Sequence, residues 1–215
     1  MNTSTRLIKL AGAAGHIEVA IDQPAGTPRG LALVAHPHPL YGGTLDNKVT
    51  QTLARVLVQL GYLAARPNFR GVGATEGEHD AGRGEIDDTL SVIDQLRAEH
   101  GLRETVLAGF SFGTYVLSHV AARLTERGEP PRRMVLVGTA AGKWEVAPVP
   151  ANTLVIHGEL DDTIRLQAVL DWARLQDLPV VVIPGADHFF HRKLTHIKQL
   201  VLGAWLGERL DDAKA

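Results

Sequence analysis

Acyl transfer needs a nucleophile, a base, a carboxylate to orient that base, and N–H groups aimed at an oxyanion. The chain of 215 residues has four serines, Ser4, Ser91, Ser111 and Ser118, and one of them stands in Gly109-Phe110-Ser111-Phe112-Gly113. A serine on a sharp strand-to-helix turn needs neighbours without side chains, because the two elements approach closely there. The run Thr105–Ala108 predicts the strand and Phe112–Arg127 the helix, whose N-terminus offers free N–H groups and a positive dipole end. Ser4 is close to the start, and Ser91 and Ser118 fall inside predicted helices, where a hydroxyl usually bonds its own backbone. Ser111 is therefore the expected nucleophile.

On such a turn the acid and then the base follow in chain order, each after a later strand. The predicted strand Thr153–His157 is followed by Gly158-Glu159-Leu160-Asp161-Asp162-Thr163, and Val180–Ile183 by Pro184-Gly185-Ala186-Asp187-His188-Phe189. His188 is the expected base, since His191 and His196 are assigned to the closing helix. Asp161 is the favoured acid, three residues before Ile164, where the loop should turn into a helix. Asp162 is the alternative, or the cap of that helix. Glu159 also lies nearby, and Asp187 adjoins His188, so its side chain is expected to point elsewhere.

One oxyanion donor should be the N–H of Phe112. The other should come from His36-Pro37-His38-Pro39-Leu40-Tyr41-Gly42-Gly43, after the apolar strand Leu31–Ala35. Prolines 37 and 39 have no N–H, which leaves His38, Leu40 and Tyr41. His38 is favoured because its flanking prolines stiffen it. His36, Leu40, Tyr41 and Arg70 are candidate substrate contacts; Arg70, in the segment Asn68–Gly77 after another strand, could instead bond loop carbonyls.

The elements that must position these groups follow one syntax. Strands are predicted at Arg6–Leu10, His16–Ile21, Leu31–Ala35, Tyr62–Arg66, Thr105–Ala108, Met134–Val137, Thr153–His157 and Val180–Ile183. Helices are predicted at Asp46–Leu60, Gly84–His100, Phe112–Arg127, Ile164–Gln176 and His191–Leu210, with Gly61, Gly101 and Gly128 closing the first three. Alternation of this kind predicts an α/β fold with a mostly parallel sheet and helices on both faces, the opening hairpin extending one edge. Nothing in composition divides residues 1–215 into more than one domain.

With 45% hydrophobic and 21% charged residues the chain reads as globular, and a net charge of -2 gives no field for nucleic acid or an anionic membrane. The absence of cysteine excludes disulfides, thiolate metal sites and a cysteine nucleophile. The opening residues lack the apolar core of a signal peptide, and no stretch reaches the roughly 18 apolar residues of a membrane span. A cytoplasmic protein acting on a small-molecule ester or acyl substrate, with no metal or organic cofactor, is the expectation; the oligomeric state is left open.

The segments HPHPLYGGTLDNK, NFRGVGATEGE, GFSFG, HGELDD and GADHFF, in that order from about residue 30 onward, resemble the α/β-hydrolase superfamily, in particular its small serine hydrolases without a cap domain. The chain is also similar to dienelactone hydrolases and acyl-peptide hydrolase domains, without the cysteine nucleophile of the former or a propeller. The resemblance implies an eight-stranded sheet and a triad of Ser111, Asp161 and His188. Pro37 departs from the His-Gly pair of many relatives and bears on which N–H is the second oxyanion donor. Lids in the superfamily are usually inserted in the link from Gly138 to Asn152, where Thr139–Ala151 is too short for a helical cap. An open, shallow site for small or exposed esters follows; burying a long acyl chain would need a partner subunit.

Two other readings use the same residues. Zinc could be held by His36 and His38 with Asp187, His188 and His191, but a zinc enzyme would not need the serine turn. A non-enzymatic binding module could keep the fold, and failure of Ser111 to react with a fluorophosphonate would favour it.

Overall fold

The computed structural model describes residues 5–212, with side chains to residue 206; Ser4 lies outside the described residues. A hairpin opens the chain, β1 (Arg6–Gly12) and β2 (Gly15–Asp22), with Gly12 opposite Gly15. Then follow β3 (Leu31–Ala35), α1 (Lys48–Gln59), β4 (Leu63–Pro67), α2 (Arg83–His100), β5 (Thr105–Phe110) and α3 (Phe112–Glu126). The remainder is β6 (Arg133–Val137), β7 (Leu154–Gly158), α4 (Leu166–Arg174), β8 (Val180–Ile183) and α5 (Leu194–Asp212). The strands form one eight-stranded sheet in the order β1-β2-β4-β3-β5-β6-β7-β8. β2 is antiparallel to both β1 and β4, and every other neighbouring pair is parallel.

Successive side chains of a strand point to opposite faces, and β3 divides that way. Leu31, Leu33 and Ala35 share one core with Ile86, Leu90, Ile93 and Leu96 of α2 and Val116 and Val120 of α3. Ala32 and Val34 share the other with Val49 and Leu53 of α1 and Ile197 and Val201 of α5. A strand covered on both faces must be apolar throughout, as β3 is. Among the described residues no helix is long and apolar enough to cross a membrane.

Three helices start later than the apolar period suggests, one of them because of a side-chain cap. Asn47 Oδ1 accepts the N–H of Val49 at 2.9 Å and of Thr50 at 3.3 Å, so α1 begins at Lys48 rather than Asp46. α4 begins at Leu166 rather than Ile164, and Asp162 does not cap it; its first flanking residue is Arg165, which makes no side-chain cap bond. α5 begins at Leu194, so His191 lies in the loop with His188 and not on the closing helix. Phe190 and Arg192, with φ of 54° and 61°, keep that loop out of the helix.

From β3 the chain passes through α1 to β4 on one side, then through α2 to β5 on the other side of β3. The direction of winding thus reverses between β3 and β5, where an open α/β sheet leaves a crevice at its carboxyl end. His36 ties that end together. It is fully buried, its Nδ1 donates to Pro37 O at 2.6 Å, and its Nε2 accepts the N–H of Phe69 at 2.9 Å. The ring links the loop after β3 to the loop after β4 and does not contact substrate space, which corrects its expected role. Both nitrogens being committed, and desolvation being the larger effect, burial pushes its pKa from 6.5 down to about 4.

The unfolded chain binds a proton at His36 below about pH 6.5, and the folded chain only below about pH 4. Stability from this residue is therefore complete above pH 6.5 and declines as pH falls toward 4, by about 3 kcal/mol. Urea unfolding of the wild type and of His36→Gln across this range should show a shallower pH dependence in the variant. Parallel curves would contradict a neutral buried His36.

Candidate active site

Ser111 occupies the single residue between β5 and α3, with φ 54° and ψ -122°. A non-glycine residue in that region costs about 1–3 kcal/mol and persists only where its surroundings hold it. Here its N–H donates to Val137 O at 3.0 Å, and its carbonyl accepts both the N–H (2.8 Å) and the Oγ1 hydroxyl (2.6 Å) of Thr114. The flanking glycines are required by space. A Cβ on Gly113 would stand 2.7 Å from the carbonyl oxygens of both Ala35 and His36, and one on Gly109 would stand 2.9 Å from Gly113 O. Backbone atoms cannot move aside, so β3, β5 and α3 meet this closely only without those side chains.

His188 reaches Ser111 from the loop after β8. Its Nε2 lies 3.0 Å from Ser111 Oγ and its Nδ1 lies 2.7 Å from Asp161 Oδ2, with all three residues buried. The other oxygen of Asp161 accepts the N–H of Thr163 at 3.0 Å and of Ile164 at 2.7 Å. The carboxylate is thus oriented by the turn that follows it, a short-range Asp motif that also aims Oδ2 at the ring. The competing acids are committed elsewhere. Asp162 is exposed, Glu159 accepts the N–H of Gly185, and Asp187 pairs with His191 at 2.6 Å. That pairing, together with the N–H of His191, holds the Asp187 carboxyl below its usual range.

A second histidine stands behind Asp161. His157 is fully buried; its Nε2 is 2.9 Å from Ile164 O and 3.5 Å from Asp161 Oδ2. Burial lowers its pKa, so the ring is neutral and donates to the Ile164 carbonyl. Among the described residues no group of three or more His, Cys, Asp or Glu is placed to hold a metal ion.

In the loop after β3, Pro39–Tyr41 forms one 3-10 turn, which the proline-rich sequence did not reveal. The turn sorts the three possible oxyanion donors. The N–H of Leu40 donates to His38 Nδ1 and that of Tyr41 to His38 O, while among the described residues no partner takes the N–H of His38 or of Phe112. Both free N–H groups belong to residues that line the cleft with Ser111. Tyr41 also lines it. Leu40 is 70% exposed and is not part of the lining, so its expected contact is not found. Arg70 turns away as well: Nε donates to Asp88 Oδ2 at 2.6 Å and Nη2 to Oδ1 at 3.1 Å. It joins the loop after β4 to α2, does not line the cleft and, among the described residues, bonds no loop carbonyl.

The cleft at Ser111 has a volume of about 490 Å³. Trp144 and Phe189 complete its walls, and the sequence had singled out neither. Trp144 comes from the short link between β6 and β7, read from the sequence only for its length. Its ring stacks on Tyr115 at 5.0 Å and meets Phe112 edge-on at 4.9 Å. The link therefore forms one wall of the site and contributes no helix over it.

The profile of the α/β hydrolase fold matches residues 41–151, a segment that includes Ser111 and ends before Asp161 and His188. An α/β serine hydrolase without lid from Xanthomonas campestris is 36% identical and superposes with a TM-score of 0.87, covering 95% of this chain and 94% of that one. An α/β serine hydrolase homologue from Coxiella burnetii is 33% identical, with a TM-score of 0.77 over 93% of this chain and 96% of that one. An uncharacterized protein of Rickettsia prowazekii (strain Madrid E) is 31% identical over 206 residues, 88% of this chain and 84% of its own. Sheet order, serine turn and these likenesses agree: the chain belongs to the α/β-hydrolase family.

Proposed function

We propose that this hydrolase cleaves carboxylic esters through an acyl-enzyme on Ser111, with His188 as base and Asp161 as its orienting acid. The observation that carries the reading is the unbroken chain from Ser111 Oγ to His188 Nε2 (3.0 Å) and from His188 Nδ1 to Asp161 Oδ2 (2.7 Å). His188 takes the serine proton as Oγ attacks the ester carbonyl, and the new oxyanion is received by the N–H groups of Phe112 and His38. Collapse breaks the C–O bond, and the imidazolium gives its proton to the departing alcohol. Water then repeats the sequence on the acyl-enzyme, with His188 again as base, and frees the acid.

The walls of the cleft suit a small or exposed substrate. Trp144, only partly buried, offers an aromatic face, while Tyr41 is 87% exposed at the rim. The similar serine hydrolase of Xanthomonas campestris, which has no lid, supports the same reading.

Ser111→Ala should abolish hydrolysis of p-nitrophenyl acetate, and turnover at the wild-type rate would refute the nucleophile. Asp161→Asn should lower kcat by about 10⁴-fold, because it favours the wrong tautomer of His188. Asp162→Asn should change kcat by less than about twofold, as expected of an exposed surface site. The reverse order of the two asparagine variants would move the acid by one residue.

A further inference from the structure

Three side chains that line the cleft present hydrogen-bond donors and no acceptors, and local backbone structure explains two of them. Asn47 caps α1, so its Oδ1 is consumed by the N–H groups of Val49 and Thr50. Only its NH₂ is left for the cleft that it lines. His38 accepts the N–H of Leu40 at Nδ1, at 3.3 Å, which places the proton of the neutral ring on Nε2. Burial and the neighbouring His79 ring, centred 4.8 Å away, lower the pKa of His38 and keep it neutral. Lys143 is the third. It lines the same cleft, and among the described residues its ammonium has no ion-pair or hydrogen-bond partner. Its backbone is fixed by the N–H bond to Ala140 O at 3.1 Å and by Trp144, anchored between Tyr115 and Phe112.

The opposite charge is missing from the lining. Among the described residues no Asp or Glu borders the cleft; Asp161 lies beneath it with both oxygens occupied, and Asp162 and Glu145 are exposed outside it. A neutral ester has few acceptors with which to meet such a wall. A substrate with a second oxyanion would satisfy all three donors in charge-assisted bonds.

We propose that the cleft selects esters that carry an additional anionic oxygen group, a carboxylate or a phosphate, received by Lys143 Nζ, Asn47 Nδ2 and His38 Nε2. This rests on the ester-hydrolase reading given above and names its substrate class.

Matched pairs test it directly. For the carboxylate arm, mono-(4-nitrophenyl) glutarate is compared with methyl 4-nitrophenyl glutarate; for the phosphate arm, 2-acetoxyethyl phosphate is compared with 2-methoxyethyl acetate. The wild type should favour the anionic member of at least one pair by roughly tenfold in kcat/KM, and the pair that shows it identifies the anion. The preference should shrink as ionic strength rises. Lys143→Gln should bring the ratio near one. Asn47→Asp keeps the cap, for which aspartate serves as well as asparagine, but turns a donor into an anion and should reverse the preference. Wild-type hydrolysis of the neutral esters with ratios near one in both pairs would overturn the inference and leave the hydrolase reading intact. A preference unchanged in both variants would also overturn it. Hydrolysis of none of the four would overturn both readings.

Discussion

The close approach at Gly113 governs the geometry of the site. With 2.7 Å between a would-be Cβ and the carbonyl oxygens of Ala35 and His36, α3 starts as near to the end of β3 as a backbone can come. This contact forces the reversal at Ser111, and it places the N–H of Phe112 beside the loop that carries His38. The positive φ at Ser111 is the cost of that geometry, offset by three hydrogen bonds to its own N–H and carbonyl. His36 and Arg70 then fasten the neighbouring loops from behind, to β4's exit and to α2. The crevice of the sheet is thus rigid on the side where charge would develop.

Around it, hydrogen bonds sort the polar groups by direction. Carboxylates near the site face inward or sideways: Asp161 to His188 and the following turn, Asp187 to His191, Glu159 to Gly185. Asn47, His38 and Lys143, which line the cleft, are left with hydrogens to offer. Caps produce this polarity in Asn47 and His38, since each spends its acceptor atom on the backbone. Secondary structure and recognition are therefore coupled through the same side chains.

Much of this was legible in the sequence because it is local. Strand, glycine, serine and helix are contiguous at Ser111, and the loops bearing Asp161 and His188 follow apolar runs that mark their strands. The eight-stranded, mostly parallel sheet followed from the same alternation. What escaped depends on distant partners. His36 has the residue type of a ligand, and only the seating of Phe69 beside it makes it a tie between loops. Arg70 finds Asp88 on α2 once the winding direction reverses. His191 fits a helical period but is drawn out of α5 by Asp187 and by left-handed backbone on either side. Trp144 belongs to no motif; its place is set by Tyr115 and Phe112 on α3.

The central claim is that the strained turn makes Ser111 a nucleophile activated by His188. Intact-mass and peptide mapping of the folded chain after treatment with a fluorophosphonate reads this without any assumption about substrate. One adduct per chain, located on Ser111 and not formed when the chain is unfolded in urea before treatment, is the expected result. No adduct on folded protein, or an adduct on Ser91 or Ser118 in place of Ser111, would contradict it.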